Sequence, residues 1–271
     1  MTEPMIDLLE AVWRDIAELG AGLTDEEWAR PTECPGWSVK DNVAHMIGTE
    51  RMLMGQKPEA DPEATPDFVR NDIGRANQQW VDEYGFLPGN EVLEAFVSVT
   101  NQRLEDLRAL TPEDWNREGF TPEGPGPYRQ FMEIRAFDCW YHDQDMREAL
   151  YRPGFMEGPV ADLSIGRIGP KGMGYVVGKK AGAPPNSTVV FDVAGTPAIT
   201  VVVTVPPEGR AVVGGDVPAS PTARIALDRR TYTRLAGGRW TGANARANAE
   251  VSVTGNEDLA NRIVDNMAFT I

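Results

Sequence analysis

A helical bundle over residues 1–155 followed by a small α+β domain over residues 156–271 is the fold class the sequence predicts. Three observations carry it. Apolar residues recur at three- and four-residue spacing through the first part. β-branched runs appear in the second. The charge balance breaks near Phe155: 31 acidic and 14 basic residues lie up to that point, a net of −17, and 10 acidic and 12 basic residues follow it, a net of +2.

In chain order, Met5, Leu8, Leu9, Val12, Trp13, Ile16 and Leu19 set out a first helix that Gly20 stops. Cys34-Pro35-Gly36-Trp37 announces a second, with Ser38 as N-cap and Asp41 three residues on, an acid suited to the positive end of the helix dipole. Val39, Val43, Met46 and Ile47 carry that helix toward Met54. Gln56 to Pro66 reads as a polar loop, 68–84 as a weaker helix, and 91–110 as another through Val92, Phe96, Val99, Leu104 and Leu107. Gly124-Pro125-Gly126-Pro127 breaks the chain before a strong helix over 128–150. Leu23-Thr24-Asp25-Glu26-Glu27-Trp28 is echoed by Leu110-Thr111-Pro112-Glu113-Asp114-Trp115, each ahead of a histidine-bearing helix. Two readings stay open: Thr-x-x-Glu/Asp is a common helix start, or the chain folds as two helical hairpins in an antiparallel four-helix bundle.

Beyond Pro153-Gly154, residues 166–182 are glycine-rich yet keep Ile168, Tyr175 and Val177, and read as a helix of modest propensity. Runs over 188–193, 199–205, 223–227 and 250–254 read as strands, with helices over 228–236 and from 256 toward 267 among them.

Composition excludes several functions. No stretch of the 271 residues is apolar enough to span a bilayer, and Met1-Thr2-Glu3-Pro4 is acidic where a secretory signal is basic, so a cytoplasmic protein is expected. Two cysteines cannot build a disulfide framework or a zinc finger. The net charge of −15 disfavours nucleic acid as a partner. The pattern asks for no more than a monomer or small homo-oligomer.

The chain has only two histidines, and both fall in the helical part. Asp138, His142 and Asp145 share one helix face, since four residues advance a helix by about 400° and seven by about 700°, and Arg135 flanks the stripe. His45 lies one turn after Asp41. A carboxylate and an imidazole at i and i+4, with a second imidazole from a facing helix, give three ligands and an open fourth position, the pattern of catalytic zinc. Asp41 or Asp145 then serves to orient an imidazole through its other nitrogen. Spacing alone leaves the alternative open that these are satisfied interior side chains. Trp37 and Trp140 read as core or pocket wall, and Cys34 and Cys139 as small buried side chains rather than nucleophiles.

Residues 32–45, Thr-Glu-Cys-Pro-Gly-Trp-Ser-Val-Lys-Asp-Asn-Val-Ala-His, together with Arg135-x-x-Asp138-x-Trp140-x-His142-x-x-Asp145, resemble the mycothiol-dependent maleylpyruvate isomerase family. The resemblance implies a DinB-like metal-binding four-helix bundle followed by a small α+β domain, sterol-carrier-like in some members. It implies His45, Asp138 and His142 as ligands of a divalent metal, usually zinc, with mycothiol as cosubstrate; the founding isomerase has glutamate where this chain has Asp138. Ala236-Gly237-Gly238-Arg239 resembles the stretch from which the family's C-terminal domain contributes an arginine, so Arg239 is either that catalytic group, reaching a cleft to hold a carboxylate or polarise a carbonyl, or a surface arginine beside a turn.

Zinc on two neutral histidines and one carboxylate has a formal charge of +1, which a thiolate neutralises, so such a site favours deprotonating a thiol. The expected function is a metal-dependent enzyme that uses a low-molecular-weight thiol for S-transfer or cis–trans isomerisation of a small electrophile. The competing expectation is a non-enzymatic, metal-containing binding protein for an apolar or thiol-bearing ligand.

Overall fold

The computed structural model describes residues 3–59, 66–249 and 251–269. Met1 and Thr2 of the acidic start, residues 60–65 of the expected loop, and Glu250 at the head of the last expected strand lie outside the described residues. The chain divides into two compact units, Met1–Gly154 and Phe155–Ile271.

Unit 1 is helical. It comprises α1 (Pro4–Gly20), the single turn α2 (Asp25–Trp28), α3 (Val39–Leu53), α4 (Asp72–Tyr84), α5 (Gly89–Ala109), the single turn α6 (Pro112–Trp115) and α7 (Tyr128–Leu150). A two-residue ladder, β1 (Glu118–Gly119) with β2 (Gly126–Pro127), precedes α7. α1 packs on α5 and α7, and α3 packs on α4, α5 and α7. Their apolar faces meet in a core that contains Leu9, Ile16, Met46, Ile47, Phe96 and Trp140, all fully buried. α4 approaches α3 closely because Gly48 has no side chain: a Cβ there would lie 2.2 Å from Trp80.

The repeated Thr-x-x-Glu/Asp pattern forms a capping box in both places. Thr24 accepts from the backbone N–H of Glu27 and Thr111 from that of Asp114, while each acid reaches back to its threonine's N–H. Each single turn ends on a buried tryptophan, Trp28 or Trp115. The pattern is therefore a helix start, and it recurs between α1 and α3 and again between α5 and α7.

Unit 2 is α+β. α8 (Pro159–Ile168) runs into two π-helical turns, Gly169–Met173 and Val176–Lys180. The sequence predicts one ordinary helix there. Pro170 has no N–H for the i→i−4 ladder, and the surrounding glycines let the widened turns sit close to their neighbours; a Cβ on Gly172 would lie 2.4 Å from Phe269. Then come β3 (Thr188–Ala194), β4 (Ile199–Thr204), β5 (Val212–Val213), β6 (Ala223–Asp228), α9 (Arg229–Ala236), α10 (Gly242–Asn248), β7 (Ser252–Gly255) and α11 (Glu257–Asp265). The sheet order is β5-β4-β3-β6-β7, with β3 and β6 parallel and the other pairs antiparallel. Phe191 stands opposite Val201 on one side and Ile225 on the other, and all three are buried. The amphipathic α11 buries Leu259, Ala260, Ile263 and Val264. No helix among the described residues is long and apolar enough to cross a membrane.

Candidate metal centre

The site begins with a turn. The N–H of Trp37 donates to the carbonyl of Cys34 at 3.1 Å, closing a four-residue turn with Pro35 second and Gly36, at φ +79°, third. Pro pre-sets the second position and glycine tolerates the positive φ of the third. The turn delivers Ser38 to the N-cap of α3, where its hydroxyl accepts from the backbone N–H of Asp41 and the Asp41 carboxylate accepts from the N–H of Ser38 at 2.8 Å. Asp41 is thus engaged with Ser38 at the helix start. One turn further along α3, His45 is buried.

Across the bundle, α7 presents Asp138 and His142. Nε2 of His45 lies 3.1 Å from Oδ2 of Asp138, and Nε2 of His142 lies 3.6 Å from Oδ1. The two imidazoles meet edge to face with ring centres 4.8 Å apart. Nδ1 of His142 lies 3.4 Å from Oδ2 of the buried Asp145. Nδ1 of His45 is buried without a hydrogen-bond partner. Trp37 walls the site, with its ring centre 5.0 Å from that of His45 and 5.6 Å from that of His142. Its indole N–H is fixed by donation to Oε1 of Gln78 at 3.0 Å.

A tetrahedral zinc ion with ligands at about 2.1 Å separates neighbouring donor atoms by about 3.4 Å. Each imidazole nitrogen lies near that distance from one oxygen of Asp138, 3.1 Å from Oδ2 for His45 and 3.6 Å from Oδ1 for His142. Among the described residues, His45, Asp138 and His142 form a three-member group with one donor atom each within mutual reach. The Asp138 side chain is 31% exposed, so the group opens on solvent. Donor type and spacing both fit a divalent metal.

Electrostatics differ around the three. Burial pushes His45 down, which favours the neutral ligand form. Burial also opposes charge on His142, but Asp138 and Asp145 outweigh it and raise this imidazole. At Asp138, burial is overcome by the two imidazoles and Arg135, which hold the carboxyl well below its ordinary value. Arg135 donates from Nη1 to Oδ2 of Asp138 and from Nε to Oε1 of Glu50 at 2.9 Å.

The structure therefore brings His45, Asp138, His142, Asp145, Arg135 and Trp37 together. Arg239 belongs to unit 2, where it follows α9 and donates from Nη1 to the carbonyl of Gly237 at 2.9 Å. Cys139 is buried, and that burial pushes its thiol up to about 12. Cys34 departs from the expected buried side chain: it is half-buried, and its sulfur lies within 4.8 Å of donor atoms of His142 and Asp145. Glu50 and Arg103, which the motif spacing does not single out, also reach Arg135 and its neighbours. The signal was present, because Glu50 continues the Val43, Met46, Ile47 stripe and Arg103 continues the Phe96, Val99 stripe; each is a charge on an apolar helix face.

The family pattern described as the mycothiol maleylpyruvate isomerase N-terminal domain matches residues 9–147. The chain belongs to the mycothiol maleylpyruvate isomerase family. The matched span contains the whole three-member group together with Arg135, Asp145 and Trp37. Two uncharacterized proteins of Mycobacterium tuberculosis, from different strains, are each 27% identical to this family member over 149 residues. The match spans about half of each protein, 54% of this chain and 56% of the relative. Crystal structures of the mycothiol-dependent maleylpyruvate isomerase and of a histidine-to-alanine mutant of it share the fold. They superpose with TM-scores of 0.56 and 0.57 at 14% identity, covering 93% of this chain and 92% of theirs.

Proposed function

We propose that unit 1 is a DinB-like metal-binding bundle and that the protein is a metal-dependent enzyme using a low-molecular-weight thiol, mycothiol, either for cis–trans isomerisation of a small electrophile of the maleylpyruvate type or for transfer of the thiol sulfur to its electrophilic carbon. The observation that carries this reading is the convergence of His45, Asp138 and His142 on one solvent-facing point. Those three residues would hold the metal, with zinc suited to two imidazoles and a carboxylate. Bound there, zinc supplies the positive charge that favours a thiolate over a thiol near neutral pH.

The surrounding side chains have separate tasks. Asp145 faces the Nδ1 side of His142 at 3.4 Å and favours a proton there, leaving Nε2 to the ligand point. Arg135 holds one oxygen of Asp138. Trp37 keeps water from one flank of both imidazoles. Arg239, in unit 2 and apart from these groups, is proposed for the substrate carboxylate on the family resemblance of Ala236-Gly237-Gly238-Arg239, a guanidinium matching a carboxylate bidentately. Family membership and the names of the related crystal structures support the choice of thiol and electrophile.

The test is turnover of maleylpyruvate by the purified full chain, with mycothiol, with glutathione, and with no thiol. Turnover with mycothiol that a chelator abolishes and zinc restores is expected. Absence of turnover and of thiol consumption across a panel of electrophiles sinks the enzymatic reading. A further expectation is that Arg239→Ala raises KM for the acid at least tenfold, the range of one lost charge-assisted contact; an unchanged KM removes Arg239 from the assignment.

A further inference from the structure

Glu50 is fully buried, and each of its carboxylate oxygens accepts from a different buried arginine: Oε1 from Nε of Arg135 and Oε2 from Nε of Arg103, both at 2.9 Å. Arg103 also donates from Nη2 to the Tyr128 hydroxyl at 2.8 Å. Arg135 continues the chain from Nη1 to Oδ2 of Asp138. A hydrogen-bonded line thus runs from Tyr128 through Arg103, Glu50 and Arg135 to a residue of the metal group, tying α3, α5 and α7 together.

Buried charge of this kind is costly unless it is paired, and replacing it with packed apolar groups often stabilises a fold. The pairing here is complete: two guanidinium cations balance the carboxylates of Glu50 and Asp138. The line also ends at a side chain with a chemical task. We infer that Glu50 is a positioning residue for the metal centre: through Arg135 it fixes the orientation of the Asp138 carboxylate, and so sets how tightly the centre holds its metal. The inference rests on the metal-centre reading above. Its physical basis is twofold. The planar fork of Arg135 makes the contacts to Glu50 and Asp138 at once, which a lysine ammonium cannot do. The negative charge of Glu50 offsets the two guanidiniums that otherwise repel a bound cation.

The test uses the full chain stripped of metal and reloaded with Co2+, whose visible absorption reports coordination and whose affinity is read by chelator competition. Glu50→Gln and Arg135→Lys are each expected to bind Co2+ about 10- to 100-fold more weakly than the parent, with a changed visible band at saturation. Glu50→Asp is expected to recover part of the loss. Parent-like affinity and spectrum in the variants overturn the inference, whatever happens to the melting temperature, because a merely structural pair costs stability and leaves the metal alone. Arg135→Lys keeps its charge and carries the test if Glu50→Gln does not fold. A parent protein that binds no Co2+ is a different result, and it overturns the metal centre itself.

Discussion

Asp138 is the residue on which the site turns, since one short side chain meets both imidazoles and a buried guanidinium. Asp138→Asn keeps the shape and removes the charge. The expected result is at least a tenfold loss of metal affinity in chelator competition with little change in helicity; parent-like affinity contradicts a ligand role. The two cysteines give an independent check. Cys139 is buried with its thiol pushed up to about 12, whereas Cys34 is half-buried. Alkylation of the native protein at pH 8 should label Cys34 alone, and Cys139 only after denaturation; rapid native labelling of Cys139 contradicts the packing of α7. At this scale, the ligand candidates were legible because two histidines leave few arrangements to consider. Glu50 was harder to find because its partners come from α5 and α7, and a single strand of sequence does not show which helices meet.

At the scale of the element, α3 carries His45 and is set by a local signal at its start and by close packing further along. The Ser38–Asp41 capping box starts it, and Gly48 lets α4 lie against it. Ser38→Ala should cost about 1 kcal/mol in denaturant unfolding, and no loss of stability would argue that the cap is idle. Gly48→Ala should cost about 1–3 kcal/mol, because the Cβ collides with the buried Trp80 and overpacks the helix pair. Elements with strong periodicity were legible: α7 spans Tyr128–Leu150, where the spacing predicts a helix over 128–150. α10 was not, because Gly242–Asn248 has no apolar stripe and is started by a Thr241–Asn244 capping box. β5 was missed for a different reason: two residues are too few to show alternation, and only pairing with β4 defines them. The first π-helical turn after α8 contains Pro170 and both lie in a glycine-rich run, whose consequence for helix pitch is not visible in hydrophobic spacing.

For the whole molecule, the shift in composition near Phe155 marks the passage from a helical unit to one built on a five-stranded sheet. The family pattern falls in the first unit, where the candidate ligands are. Because the candidate ligands come from α3 and α7, distant parts of the chain, a metal bound between them would favour the folded state over the unfolded one. Zinc at about 100 times its dissociation constant should add about 2.7 kcal/mol of stability to the metal-free protein, seen as a melting temperature that rises with zinc and falls again with chelator. A melting temperature indifferent to both argues against a site shared between helices. The most direct measurement is the metal content of the purified protein beside that of His142→Ala, by elemental mass spectrometry after zinc loading and desalting. The prediction is about one divalent metal per parent chain and none retained by the variant; an empty parent, or a variant as fully loaded as the parent, contradicts the assignment of His45, Asp138 and His142.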